Sequence, residues 1–223
     1  MKRIVLLLIP VLLGACAQRT YQIDGIFTAD DGTPVWLIDA DAKDTLAVTS
    51  VRDGRFQFEG AVEEPFYAYV GNGRQRVHLI LEAGRATVDI DERISGGMPM
   101  DDRYNAFHRR FYAYTRDQKA EKTALADSVV LANRDNLVGA LALEDLSYVN
   151  RDRFLALYDR LSDKMKAFSL VKSAYEAIRV QVGTEPGQLF KDYLVPGGNA
   201  DGTDVRLSDY SRAPSWGLVG YDH

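Results

Sequence analysis

Between residues 21 and 91 apolar and polar positions alternate in short runs, and beyond residue 99 apolar positions recur every three or four residues. The first period is that of a half-buried strand and the second that of an amphipathic helix, so the chain reads as a β-rich half followed by a helical half. Runs rich in β-branched and aromatic residues at 21–28, 34–39, 45–51, 55–59, 66–70, 76–81 and 87–90 predict strands. Turn signals at Asp31-Gly32, Asp53-Gly54, Gly71-Asn72-Gly73 and Ala83-Gly84 separate them. Strands at about ten-residue spacing fit a small antiparallel sandwich or barrel. Phe56 and Phe58 fall on one face of their run and Gln57 on the other.

Ser95-Gly96-Gly97-Met98-Pro99 marks the change of period. After it, Tyr104, Phe107, Phe111 and Tyr114 share a helical stripe from which Arg103, Arg110 and Asp117 are excluded. Asn150 is placed to cap a helix carrying Phe154, Leu157, Tyr158 and Leu161. Ser169 is placed to cap another carrying Val171, Tyr175, Ile178 and Val182. Such stripes build a core, and none has the form of a cofactor box. From Gly183 the sequence turns loop-rich, with Gly197-Gly198 and Asp201-Gly202. The residues from 186 onward are too few for an independent domain without disulfides or metal.

The N-terminus reads as an address. Lys2 and Arg3 precede a ten-residue apolar run, 4–13, interrupted by Pro10, and the small residues Gly14 and Ala15 precede Cys16. Ten helical residues cover about half of a bilayer's hydrocarbon core, too little for a span. Leu13-Gly14-Ala15-Cys16 resembles the lipobox of bacterial lipoproteins, which implies a lipid on the Cys16 sulfur and a new N-terminus there. With Ala17, Gln18, Arg19 and Thr20 following, neither a retention Asp nor an acidic export cluster is present. The expected location is therefore the outer membrane, facing the periplasm, held lastingly by several acyl chains.

Composition narrows the chemistry further. Cys16 is the single cysteine, which excludes an internal disulfide, a thiolate zinc site and a two-cysteine redox centre within these residues. A net charge of −5 argues against the broad positive field that nucleic acid binding needs. His78, His108 and His223 stand at no metal-ligand spacing, so no metal and no other cofactor is expected. Asp39, Asp41 and Asp44 lack the Gly and closing Glu of a calcium loop and read as a solvated turn. Asn199, Asp201 and Asp204 around Gly202 likewise read as turn chemistry. No Gly-x-Ser-x-Gly elbow or phosphate loop occurs. Trp36, Phe66, Tyr67 and Tyr69 could form an aromatic binding face, although alternation sends half of such residues into a core.

Three stretches carry a family resemblance. Residues 25–91, with their Gly-Thr-Pro-Val-Trp-Leu-Ile-Asp and Asp-Gly-Arg-Phe-Gln-Phe-Glu-Gly runs, resemble the N-terminal domain of unknown function on periplasmic thiol-disulfide oxidoreductase lipoproteins. Asn136-Leu137-Val138-Gly139-Ala140-Leu141 resembles the Asn-x-x-Gly-Ala helix start of the same proteins. Pro186-Gly187-Gln188-Leu189-Phe190, Asp192-Tyr193, Asp201-Gly202-Thr203 and Val205-Arg206-Leu207-Ser208-Asp209-Tyr210 resemble the opening hairpin of a TlpA-like thioredoxin domain.

That resemblance implies an α+β chain. It would comprise a signal peptide (1–15), a lipidated linker (16–20), an antiparallel β-sandwich or barrel-like domain (21–95), a helical region (96–184) and an incomplete thioredoxin-fold opening (185–223). The family's Trp-Cys-x-x-Cys has no counterpart after Tyr210, and Trp216 has no Cys after it. No catalytic residue is therefore transferred, and the expectation is a truncated, redox-inactive family member. The alternative is a binding or scaffold lipoprotein whose β domain holds a protein, peptide or glycan.

Overall fold

The computed structural model describes residues 19–182, 194–195 and 202–206. Cys16, Trp216 and His223, with the rest of the expected signal peptide and most of 185–223, lie outside the described residues. The chain is α+β. Contacts gather it into two units, Met1–Ser173 and Ala174–His223.

In the first unit the strands are β1 (Thr20–Ile26), β2 (Pro34–Asp39), β3 (Thr45–Ser50), β4 (Arg55–Ala61), β5 (Phe66–Gly71), β6 (Arg76–Leu81), β7 (Gly84–Asp89) and β8 (Ile94–Gly96). They make two four-stranded sheets, ordered β4-β1-β7-β8 and β3-β2-β5-β6. One buried cluster takes its side chains from both, among them Ile23, Phe56, Phe58 and Val88 from the first and Val35, Leu37, Val70 and Leu79 from the second. The odd residues of β1 and the even residues of β7 turn into that cluster.

A closed barrel does not form, because the ladder is interrupted at two corners. At one, Arg52 and Arg55 exchange backbone hydrogen bonds of 2.9 Å across Asp53-Gly54. Both turn residues have positive φ, 49° and 69°, as a two-residue hairpin turn requires. Beyond this turn β4 leaves β3 and pairs with β1 in the other sheet. At the other corner, side chains stand where a ladder would. The Asp101 carboxylate accepts the Ile80 N–H at 2.9 Å, and the Ser95 hydroxyl donates to the His78 carbonyl at 3.3 Å.

Two departures from the sequence reading have nonlocal causes. The β1–β7 pair is parallel, with the four strands of the second sheet and β4 lying between them in sequence. Local alternation carries no information about such a pairing. Strand β8 occupies what reads as a Gly-rich boundary. It pairs with β7 through Thr87–Gly96, Val88–Ser95 and Asp89–Ile94.

Helices α1 (Pro99–Ala113), α2 (Lys119–Ala132), α3 (Leu137–Ser147), α4 (Arg151–Tyr158) and α5 (Asp163–Ala167) follow, and α6 (Ser169–Val182) crosses the unit boundary. Pro99 opens α1 at a position where its missing N–H costs nothing. Phe107 and Phe111 of the expected stripe are buried, whereas Tyr114 is the C-cap. The Asn136 side chain caps α3 by accepting the Val138 N–H, and Asn150 caps α4 by accepting the Arg153 N–H.

Gly139 is required by packing. A Cβ there would lie 2.1 Å from the Asn133 carbonyl oxygen. Ser169 is the first residue of α6 and not its cap; its N–H donates to Asp41 Oδ1 at 2.7 Å, a contact 128 residues away in sequence. Val171 and Ile178 are buried as the stripe implies, and the Val182 side chain lies outside the described residues.

In the second unit, β9 (Leu194–Val195) pairs antiparallel with β10 (Val205–Arg206). Among the described residues no helix is long and apolar enough to cross a membrane.

Candidate functional site

The outer face of the β3-β2-β5-β6 sheet is unusual for a surface. Alternation settles it: Val35, Leu37, Ala68 and Val70 are buried in the inter-sheet cluster, so Trp36, Ile38, Tyr67 and Tyr69 point the other way. Trp36, Tyr67 and Tyr69 of the expected aromatic face thus lie together. Phe66 does not join them; one residue out of phase, it packs against the inter-sheet cluster.

His78, opposite Tyr69 in the β5–β6 register, completes a row of rings. Its imidazole stacks on Tyr67 at 5.3 Å between centroids and lies 5.6 Å from Tyr69. The Arg76 guanidinium sits 5.4 Å over Tyr69, and Phe168 meets Tyr67 edge-on at 6.2 Å. Burial, reinforced by Arg76, pushes the His78 imidazole below its ordinary value. Its Nδ1 is buried with no hydrogen-bond partner among the described residues.

Half of this face is covered and half is open. Ile80 is completely buried outside the inter-sheet cluster, on the side where α1 meets β6. Toward the β3 edge, Val48 is 57% exposed and Leu46 47% exposed. β3 contains no charged residue, and the described residues pair only one of its edges, with β2.

Beside the covered half lies a polar cluster carried by α1 and α3. Asp145, only 4% exposed, accepts hydrogen bonds from the Tyr104 hydroxyl at 3.1 Å and the Tyr112 hydroxyl at 2.8 Å. Burial raises its carboxyl to about 6, against the pull of those two donors. Burial also raises Glu144, whose carboxylate accepts from the Tyr148 hydroxyl at 2.9 Å. His108, 4.4 Å from the Tyr112 ring, is pushed down by burial. The Tyr67, Tyr104 and Tyr112 hydroxyls are all raised, first by burial and then by the nearby carboxylates, so these phenols remain protonated donors. Chemically the cluster takes up a proton as pH falls through about 6 and offers donors along an aromatic rim.

Periodicity hides this cluster. Tyr104 and Tyr112 read as ordinary helix residues, but Glu144-Asp145 stands inside α3, where Leu137 to Leu143 and Leu146 are buried. A carboxylate pair in an otherwise apolar helix is the signal that could have found it. Asp101 is a different buried acid. It accepts from Ile80 N–H, the Ser95 hydroxyl at 2.7 Å and the Asn105 amide at 3.0 Å, and so joins α1 to β6 and β8.

The other positions singled out in the sequence do not join the site. Asp39 Oδ1 accepts the N–H groups of Asp41 and Ala42, at 2.8 and 2.9 Å, as turn chemistry implies. Among the described residues no group of three or more His, Cys, Asp or Glu side chains could hold a metal. Asp204 stands just before β10 and is exposed, while Asn199 and Asp201 lie outside the described residues. A groove of about 900 Å³ is lined by the Asp24, Arg52, Arg55, Gln57, Thr87 and Ser95 positions of the other sheet and its corner. No family model, curated protein or solved structure matches the chain.

Proposed function

We propose that this chain is a lipid-anchored cell-envelope protein whose work is binding. In this reading its lipid is on Cys16 and its location is the outer membrane, facing the periplasm. The two facing sheets are a β-sandwich left open at its corners. The outer aromatic face of the β3-β2-β5-β6 sheet holds a protein, peptide or glycan.

The observation that carries the reading is the outward, partly exposed placement of Trp36 and Tyr69 beside the Arg76 guanidinium, continuous with exposed Val48 and Leu46. Exposed aromatic and aliphatic side chains in one contiguous area mark interaction surfaces. Aromatic rings with a nearby guanidinium suit sugar faces and extended peptides alike.

Kinship to thiol-disulfide oxidoreductase lipoproteins is the companion proposal. It is supported by the Asn136 cap, by the packing that demands Gly139, and by the β9–β10 pair where the resemblance places an opening hairpin. Within these residues the single Cys leaves no Cys-x-x-Cys, so the chain performs no dithiol exchange.

Screening the acylated protein against arrays of envelope glycans and extended peptides tests the binding role. A ligand should be held by wild type and lost, by tenfold or more in affinity, in both Trp36→Ala and Tyr69→Ala. Arg85→Ala, on the other sheet, should bind as wild type does. Equal binding by all three variants would overturn the assignment to this face.

A further inference from the structure

We infer that the anchor seats the β-rich half on lipid headgroups through the end bearing Thr20, Ala61, Glu63 and Gly84, and holds the aromatic face clear of the bilayer. This rests on the acylation of Cys16 proposed above. The reach of the tether decides it. The Arg19 carbonyl already accepts the Val62 N–H at 2.9 Å, so the chain is tied into the sheet three residues after Cys16. Three residues span at most about 11 Å.

Register identifies what lies within that reach. Thr20 pairs with Ala61, and Tyr21 pairs with Gly84 and Gly60. The connections 62–65 and 82–83 therefore share this end. The turn after β2 does so as well, since Ala40 N–H donates to the Tyr67 carbonyl at the start of β5. The turns at 53–54 and 72–75 lie at the opposite end, about 20 Å further along the strands. The aromatic face is out of reach for a second reason. It is the outer side of the sheet that does not contain β1, about 10 Å behind β1 before its own side chains are counted.

Both ends carry charges of both signs, the near end Arg19, Lys43, Arg85 and Lys164 beside Glu63, Glu64 and Glu82, and the far end Arg52, Arg55, Arg74 and Arg76 beside Asp31 and Asp53, so the tether and not charge sets the orientation. With the tether dominant, the aromatic face meets a partner from the aqueous side and not the bilayer itself.

The test uses full-length acylated protein in vesicles of phosphatidylethanolamine and phosphatidylglycerol containing nitroxide-headgroup lipid. Glu63→Cys, Arg74→Cys and Val48→Cys, all at exposed positions, are labelled with a fluorophore; Cys16, as a thioether, does not react. The label at 63 should lose most of its emission, and labels at 74 and 48 should keep most of theirs, at low and high salt alike. Equal quenching at all three sites, or stronger quenching at 74 or 48, overturns the orientation. Incorporation of radioactive fatty acid is measured on the same protein. Its absence overturns the anchor and the orientation together, whereas labelled protein with the reversed pattern overturns the orientation alone.

Discussion

The two sheets bury nearly the same kind of inner face and present opposite outer faces. On β4-β1-β7-β8 the outer side chains are mostly polar and bound to one another, with exposed Ile26 and Ile94 confined to one end: Gln57 and Gln22 amides donate to Asp24, and Arg85 reaches both Gln22, at 2.7 Å, and Asp24, at 3.6 Å. On β3-β2-β5-β6 the outer side chains are Trp36, Ile38, Tyr67, Tyr69, His78 and Ile80, of which α1 covers only part. A solvated face needs no partner. The second face is finished only where helices reach it, which is why the proposed binding role falls to the remainder.

The strongest way to break this difference is to loosen the cover. Asp101→Ala strands the Ile80 N–H in a buried place and takes one acceptor each from the Ser95 hydroxyl and the Asn105 amide, which keep the His78 and Ser95 carbonyls. It should cost about 3 kcal/mol, since an orphaned buried donor costs roughly 1–3 kcal/mol and each lost hydrogen bond somewhat less. Urea unfolding reads the loss. An effect below about 1 kcal/mol would mean that α1 is held to β6 mainly by Ile80 and its apolar neighbours.

The cover also carries a pH dependence. Asp145 titrates near 6 in the fold against an ordinary 3.8, so the folded state holds this proton more tightly than the unfolded chain. Its contribution is full below the unfolded value and is lost as pH rises through 6. The loss amounts to about 2 kcal/mol between pH 4 and pH 7. Glu144 and Asp101, also raised by burial, add in the same direction. His78 and His108, pushed down, act oppositely as pH falls below 6.5. Denaturation at a series of pH values should show Asp145→Asn with a clearly flatter slope. An unchanged slope would place the titration elsewhere.

Smaller effects sharpen the contrast. Gly139→Ala pushes a Cβ into the Asn133 carbonyl and should destabilise α2–α3 packing by about 2 kcal/mol, seen as a lowered melting temperature. Arg85→Ala removes an exposed pair and an exposed hydrogen bond, and should change stability by no more than about 0.5 kcal/mol. A larger cost would show that the polar face is a structural network and not a solvated surface.

Most strands were legible because their signals are local. Pro34–Asp39 and Arg76–Leu81 form where alternation and flanking turns put them, and Asn136 and Asn150 cap helices by the chemistry that made them recognisable. The site was half legible. Trp36, Tyr67 and Tyr69 were visible as aromatic residues, but two faces of a strand look alike until its partner sheet is known. Phe66 shows the cost of that ambiguity.

By itself the sequence determined the order of a β half and a helical half, the single cysteine, and the turn chemistry at Asp53-Gly54, each set by composition or by neighbours within a few residues. Only the tertiary structure decided the parallel β1–β7 pair and the Asp101 seam in place of a closing ladder. It alone also decided the Asp41 hold on the start of α6 and the meeting of Tyr104, Tyr112 and Asp145. These join residues 21 to 128 positions apart. Such contacts leave no local signature, because the free energy that selects them comes from burial shared between distant segments.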